Sequence, residues 1–200
     1  METNLNIALF EHINATPDSP AGWLLLAEVS AVYLIWFIPA LLVIGWLRGS
    51  DRLKQPLLEA FIATLLALAA SWLIGFLWPS PRPFMVPVGH ALLEHSPTPA
   101  FPSNHATIML TMAFSLMLHA KTRRIGRYLL LLALPVAWAR VFLGVHFPQD
   151  MLGATLLAAT MALLVGANRN WLILPFHHRV ARRLYHLLFA PLIVRGWVRR

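Results

Sequence analysis

Three short polar clusters sit among the apolar stretches of this chain: "PRPF" at 81–84, "FPSNH" at 101–105 and "ARVFLGVHFPQD" at 139–150. In the third, Asp150 follows His146 by four residues. One helical turn, or the turn at Pro148, can bring its carboxylate to one imidazole nitrogen. That hydrogen bond would fix the tautomer and leave the other nitrogen a better nucleophile or base. In the second cluster, Pro102 and Ser103 read as a helix start with Ser103 as N-cap. Such an end presents free backbone N–H groups and a positive dipole, to which Asn104 and His105 add donors. Arg82 and Arg140 supply planar guanidinium forks that match phosphate oxygens in pairs and stay charged at any working pH. Taken singly, Ser103 is a common cap, His105 is an interfacial histidine, and Arg140 and Asp150 suit a snorkelling arginine and a helix dipole. Taken together, they describe a site that processes an anion, and a phosphoryl group fits best. One histidine would attack, the other would protonate the leaving oxygen, and the arginines would hold the equatorial charge. No second or third carboxylate stands nearby to hold Mg²⁺, so the expected chemistry needs no metal and no cofactor.

The elements that must position these residues are membrane helices. The 200-residue chain is 58% hydrophobic and 12% charged, which predicts an all-α integral membrane protein. Five stretches are long and apolar enough to be read as spans: 22–47, 57–78, 104–120, 127–145 and 150–168. The third and fifth are short for a bilayer. The net charge of +8 is not read as a nucleic-acid signal, because the basic residues lie between and after the apolar stretches. "LRGSDRLKQ", "KTRRIGR" and the tail from Arg169 are basic, whereas the N-terminus and the 79–103 loop are nearly free of Lys and Arg. The positive-inside rule therefore places residues 1–21, 79–103 and 146–149 on the non-cytoplasmic side. Of sixteen basic residues only Arg82 and Arg140 fall there. The three clusters thus share one membrane face. The absence of cysteine removes disulfides and thiolate ligands from consideration.

Residues 1–168 are expected to form one membrane-embedded domain. Residues 1–21 hold no Lys or Arg and no long apolar core, and are not read as a cleavable leader. Leu5, Ile7, Leu9, Phe10 and Ile13 instead predict a helix on the non-cytoplasmic surface. The basic tail 169–200 is expected as an interfacial helix on the inner surface or as a sixth span over 184–198, giving a bundle of five or six helices.

Arg82-Pro83, then Pro102-Ser103-Asn104-His105, then Arg140, His146 and Asp150 resemble the three-part signature of the type-2 phosphatidic acid phosphatase superfamily. Order and spacing agree across 79–150. "ATPDS", "RPF", "FPSNH" and "GVHFPQDMLG" are most similar to the bacterial undecaprenyl-diphosphatases of the bacitracin-resistance type. The resemblance implies His146 as the nucleophile that forms a phosphohistidine, Asp150 as its orienting partner and His105 as the acid for the leaving group. It implies Arg82, Ser103, Arg140 and the Asn104 backbone as phosphate holders. It further implies a polyprenyl diphosphate substrate in the bacterial cytoplasmic membrane, with the site facing outward. Transfer of the phosphate to another lipid, or hydrolysis of another lipid phosphate such as phosphatidylglycerophosphate, stays open on the same site. Three positions depart from the superfamily pattern: Gly75 where a lysine is usual, Asn104 where a glycine is common, and Ala139 where a serine is common.

Other polar residues have plainer readings. Glu94, His95 and His90 read as a solvated loop, with contact to a diphosphate, or to a metal bridging it, as the alternative for all three. Glu28 either faces the site or pairs with a neighbouring helix. His119, His177 and His178 lie on the opposite side. Haem ligation by His105 and His146 would leave the arginines and Asp150 without a reason. A transporter would be expected to show internal repeats, which are not evident. The oligomeric state is not legible.

Overall fold

The structure is a computed structural model that describes residues 4–86 and 88–198. The described residues are helical, with no strand among them. In chain order the helices are α1 (Asn4–Ile13), α2 (Ala21–Val32), α3 (Phe37–Arg48), α4 (Asp51–Leu77), α5 (Asn104–Met117), α6 (Arg123–Phe142), α7 (Pro148–Ala167), α8 (Arg169–Phe176) and α9 (Arg182–Val194). A 3₁₀ turn joins α2 to α3, and a π-helical turn, His177–Ala181, joins α8 to α9. Four stretches are long and apolar enough to cross a membrane: Ala21–Arg48, Arg52–Leu77, Arg123–Phe142 and Pro148–Ala167. The chain is a multi-pass membrane protein.

All five stretches read as spans are helical. α4 and α6 start four to six residues earlier than their apolar runs, because their first turns carry the basic loop residues. The third stretch differs in kind. α5 has 14 residues, about 21 Å at 1.5 Å per residue, against a hydrocarbon core of about 30 Å. It is the axis of the bundle, packed against α4, α6 and α7. Its buried Ala106, Met109, Leu110, Met112, Ala113 and Leu116 meet Leu57, Ala60, Leu129, Ala133, Val136, Ala154 and Ala158. Close approach needs small residues. A Cβ at Gly126 of α6 would stand 2.6 Å from the Ala113 carbonyl oxygen of α5. α7 turns Ala154, Ala158 and Ala162 inward at four-residue spacing while Leu152, Leu156 and Leu163 stay exposed, the inverse of a water-soluble helix.

The N-terminal stretch, seen from Asn4 onward, docks on the bundle. Phe10 is fully buried and meets Phe147 edge to face at 5.1 Å. The Asn6 side-chain oxygen accepts from the Gln149 amide at the start of α7. Leu5 and Leu9 point outward. At the far end the tail continues as α8, which contacts α4 and α7. α9 has 13 residues, about 20 Å, which is short for a span. It is anchored through the buried Tyr185, whose ring lies under Lys54 Nζ at 3.8 Å.

Candidate active site

The turn from α6 to α7 builds the centre of the site. Gly144 takes φ +77°, and a Cβ there would meet the His90 carbonyl oxygen, so glycine alone permits the reversal. The Arg140 carbonyl then accepts the amides of both Val145 and His146 at 3.1 Å, which ties the histidine to the end of α6. Pro148 opens α7, and Asp150 sits three residues into its N-terminal cap. Asp150 Oδ2 accepts the Phe147 amide at 2.9 Å and the His146 Nδ1–H at 3.0 Å. One carboxylate oxygen therefore caps a helix and orients an imidazole.

On the other side of the ring, Arg82 Nη1 stands 3.1 Å from His146 Nε2. A guanidinium can only donate, so Nε2 is the acceptor and carries the lone pair. The tautomer is fixed from both ends. His146, buried, is held well below the ordinary histidine range, first by burial and then by the charges of Arg82 and Arg140. A nitrogen that accepts from a guanidinium has no place for a proton of its own, which agrees with that direction despite the carboxylate beside the ring.

The two arginines divide the work unequally. Arg82 places all five of its N–H groups within the protein: Nε on the Thr98 carbonyl (2.8 Å), Nη1 on the Val145 carbonyl (3.0 Å) and His146 Nε2, and Nη2 on Thr98 Oγ1 (3.1 Å) and the Pro99 carbonyl (3.3 Å). Arg140 is equally buried, yet its Nε and Nη2 have no hydrogen-bond partner among the described residues. The same holds for Ser103 Oγ, which is 0% exposed. Ser103 is the N-cap residue of α5 by backbone, but its hydroxyl makes no cap bond. Its amide donates to the Asp150 carbonyl at 3.3 Å, joining the start of α5 to α7. Buried donors without partners are costly, and clustered at a helix N-terminus they form a cradle for an oxyanion.

His105, half-buried in the first turn of α5, lies within electrostatic range of Arg140, His95 and Arg82. Asn104 is exposed and turned away. Its Oδ1 accepts from Ser71 Oγ of α4 at 2.7 Å, so only its backbone remains at the helix end. Gly75 packs toward Pro99, where a Cβ would stand at 3.3 Å. Ala139, at the third departure, is fully buried against α2 with Ala27 and Ala31. Glu28 is exposed on α2.

Thr98 and Pro99 escape the sequence reading, and His95 departs from the solvated-loop reading. Thr98 and Pro99 hold Arg82, and His95 is no solvated bystander: its ring faces that of His146 edge to face, with centroids 6.4 Å apart. No short-range pattern signals either, because the loop from 88 to 100 is pinned by distant residues. Asn14 donates to the His90 and Phe142 carbonyls and accepts the His90 amide, and Leu92 donates to the Leu143 carbonyl. His119 lies at the opposite end of the bundle, as expected; the buried His177 belongs to the tail there. Among the described residues, no three His, Asp or Glu side chains gather in a metal-binding group.

A bundle of membrane helices with a buried oxyanion cradle beside a tautomer-fixed histidine defines a class of membrane protein that handles phosphoryl groups. The chain belongs to the PAP2 superfamily, whose profile matches residues 56–173. It is 39% identical, over the full length of both chains, to YbjG of Escherichia coli (strain K12), a candidate undecaprenyl-diphosphatase by its name. It is 30% identical to the undecaprenyl-diphosphatase BcrC of Bacillus subtilis (strain 168), over 66% of this chain and 67% of that one. The crystal structure of Aquifex aeolicus LpxE superposes with a TM-score of 0.62 at 22% identity, covering 82% of this chain and 96% of that chain. A PAP2-type phosphatidylglycerolphosphate phosphatase from Bacillus subtilis gives 0.55 at 22% identity, over 86% and 89%. These two likenesses show the fold.

Proposed function

We propose that this protein is an integral-membrane lipid phosphatase that removes the terminal phosphate of undecaprenyl diphosphate and releases undecaprenyl phosphate. The observation that carries the mechanism is the imidazole of His146, with Nδ1–H bound to Asp150 and an Nε2 lone pair facing Arg82. The relatives named undecaprenyl-diphosphatases support the substrate.

The terminal phosphoryl group binds between Arg140, Ser103 and the backbone N–H groups at the start of α5. Its oxygens take the donors of Arg140 and Ser103 that have no partner among the described residues. They also draw Arg82 Nη1 off Nε2, which frees the lone pair along the line of attack. Nε2 then forms a bond to phosphorus while the bridging P–O bond breaks. The departing lipid phosphate takes a proton from His105. Asp150 stabilises the imidazolium charge that develops on His146. Water, deprotonated by His105, attacks the phosphohistidine, the P–N bond breaks, and phosphate leaves. The arginines and the helix end supply the charge stabilisation that a divalent ion supplies elsewhere, so turnover is expected to withstand chelation.

The distribution of Lys and Arg supports a site on the outer face of the bacterial cytoplasmic membrane, where a substrate with a wet head and a buried tail presents its head group. The test is phosphate release from undecaprenyl diphosphate by purified protein in chelator. Turnover is expected in wild type and lost in His146→Ala; undiminished turnover in the variant would overturn the mechanism.

A further inference from the structure

Beside the cradle lies a second space that the proposed mechanism does not use. A cavity of about 670 Å³ opens between the loop residues Leu92, Leu93, Glu94, His95 and Ser96 and the ring of Phe84. Its walls are of two kinds. Phe84, Leu92 and Leu93 are apolar, and Leu92 and Leu93 pack toward α2 and α6 beside the buried Ala27, Ala31, Ala139 and Leu143. His95 and Ser96 are polar, and His95 is the residue shared with the catalytic centre, ring to ring with His146. Glu94 is exposed at the rim, where water screens its charge.

From this juxtaposition we infer that His95 and its cavity form a subsite for the inner, lipid-linked phosphate of a diphosphate head group, with the first units of the chain laid along Phe84, Leu92 and Leu93. The inference rests on the diphosphate reading above and deepens it. The cradle of Arg140, Ser103 and the α5 end has donors for one phosphoryl group. A diphosphate brings a second anion one bridging oxygen away, and it needs donors of its own outside the cradle. Arg82 cannot serve both, since the one N–H it releases from His146 turns to the terminal phosphoryl group and the others are committed to Thr98, Pro99 and Val145.

His95 has the right chemistry. Its Nδ1–H donates to the Ser96 carbonyl at 2.9 Å, which fixes the ring and leaves Nε2 as the variable nitrogen. Burial holds its pKa below the ordinary histidine value, partly opposed by the Ser96 carbonyl and reinforced by Arg82 and Arg140. A phosphate anion beside the ring reverses that balance, so Nε2 gains a proton and becomes a charged donor when a diphosphate is present. A monophosphate ester carries one phosphoryl group, which sits in the cradle and leaves this subsite without an anion. His95 is thus a specificity residue for diphosphates, separate in role from His146 and His105.

The experiment compares wild type, His95→Ala and His95→Gln in two assays. The first measures kcat/KM on undecaprenyl diphosphate. The second measures competitive inhibition by inorganic pyrophosphate and by inorganic phosphate. Both variants are expected to lose about ten- to a hundredfold in kcat/KM on the diphosphate. The inhibition constant for pyrophosphate should rise by about tenfold or more, and that for phosphate should stay within about twofold. The unchanged phosphate constant also reports an intact fold. Wild-type kcat/KM in both variants, or equal weakening of pyrophosphate and phosphate, would overturn the subsite. A wild-type protein that turns over other lipid phosphates but never the diphosphate would instead overturn the substrate reading, and the subsite with it.

Discussion

The bundle buries a charged cluster at each end, and the two are built on opposite principles. At the far end, Glu59 of α4, with its side chain 1% exposed, is gripped by Arg169 at 2.6 and 3.0 Å and has His119 Nε2 at 3.1 Å. Charge meets opposite charge in a forked geometry, and the group ties α4 to the turn after α5 and to α8. At the site end, two arginines and three histidines (His95, His105 and His146) accompany the single carboxylate of Asp150 among the site residues described. Arg140 and Ser103 keep buried donors without partners among the described residues. A closed ion cluster holds helices together. One with positive charge in excess and donors to spare costs stability until an anion arrives, which is how a binding site differs from a brace.

Arg82 and Arg140 show that the distinction runs through a single site. Arg82 is a clasp that fastens the 98–99 loop to the 145–146 turn and also touches the His146 ring. Arg140 is a hand held open.

The sharpest break of the comparison is His146→Ala. It should lower turnover by at least about 10⁴-fold while thermal unfolding in detergent stays near wild type. Asp150→Asn should cost about 10³- to 10⁴-fold in kcat, because an amide can present the wrong group to Nδ1. It should also lower stability by about 1–3 kcal/mol, because the Phe147 amide and the start of α7 share that oxygen. Next come the arginines. Arg140→Ala should lower kcat/KM about 10²- to 10³-fold with no loss of stability, since it removes a buried charge that lacks protein partners at two donors. Arg82→Ala should lower both activity and stability, the latter by about 2–4 kcal/mol, because it strands several buried acceptors. Equal stability losses for the two arginines would erase the distinction between clasp and cradle.

Glu59→Gln sharpens the other half. Stability should fall by about 2–3 kcal/mol, less than for a fully buried pair because Arg169 is partly exposed, while kcat per folded molecule stays within about twofold. The smallest effect is in pH. His146 has a folded pKa below 6.5, so on acidification through 6.5 the unfolded chain takes up a proton that the folded chain refuses. Its contribution to stability is present above pH 6.5 and declines as the pH falls towards the folded value. Denaturant titrations at pH 7.5 and pH 5.5 should show that decline in wild type and a smaller one in His146→Ala.

What could be read from the sequence was whatever is local along the chain. His146 and Asp150 are four residues apart, and Ser103 and His105 share a helix start, so spacing alone put them together. Helices were legible in their apolar runs, though not in their charged first turns. The shortness of α5 was legible in its apolar run, but its place as the central axis was not, because α4, α6 and α7 reach it from three other segments. Thr98 was invisible, and His95 was legible only as a loop residue with diphosphate contact as the alternative, because Asn14 and His90, 76 residues apart, set where that loop lies. Glu59 and Arg169, 110 residues apart, form a cluster with no signature in either neighbourhood. Asn104 shows the converse, since its sequence position suggested the cradle and Ser71 holds its side chain elsewhere.

The most direct test of the account is to trap the intermediate. Undecaprenyl diphosphate labelled in its terminal phosphate is mixed with enzyme in chelator, quenched in alkali where phosphohistidine survives, and the labelled residue is mapped by mass spectrometry. The account predicts label on His146 in wild type and in Arg140→Ala at reduced amount, and none in His146→Ala. Sustained turnover with no label on His146, or label on another residue, would contradict it.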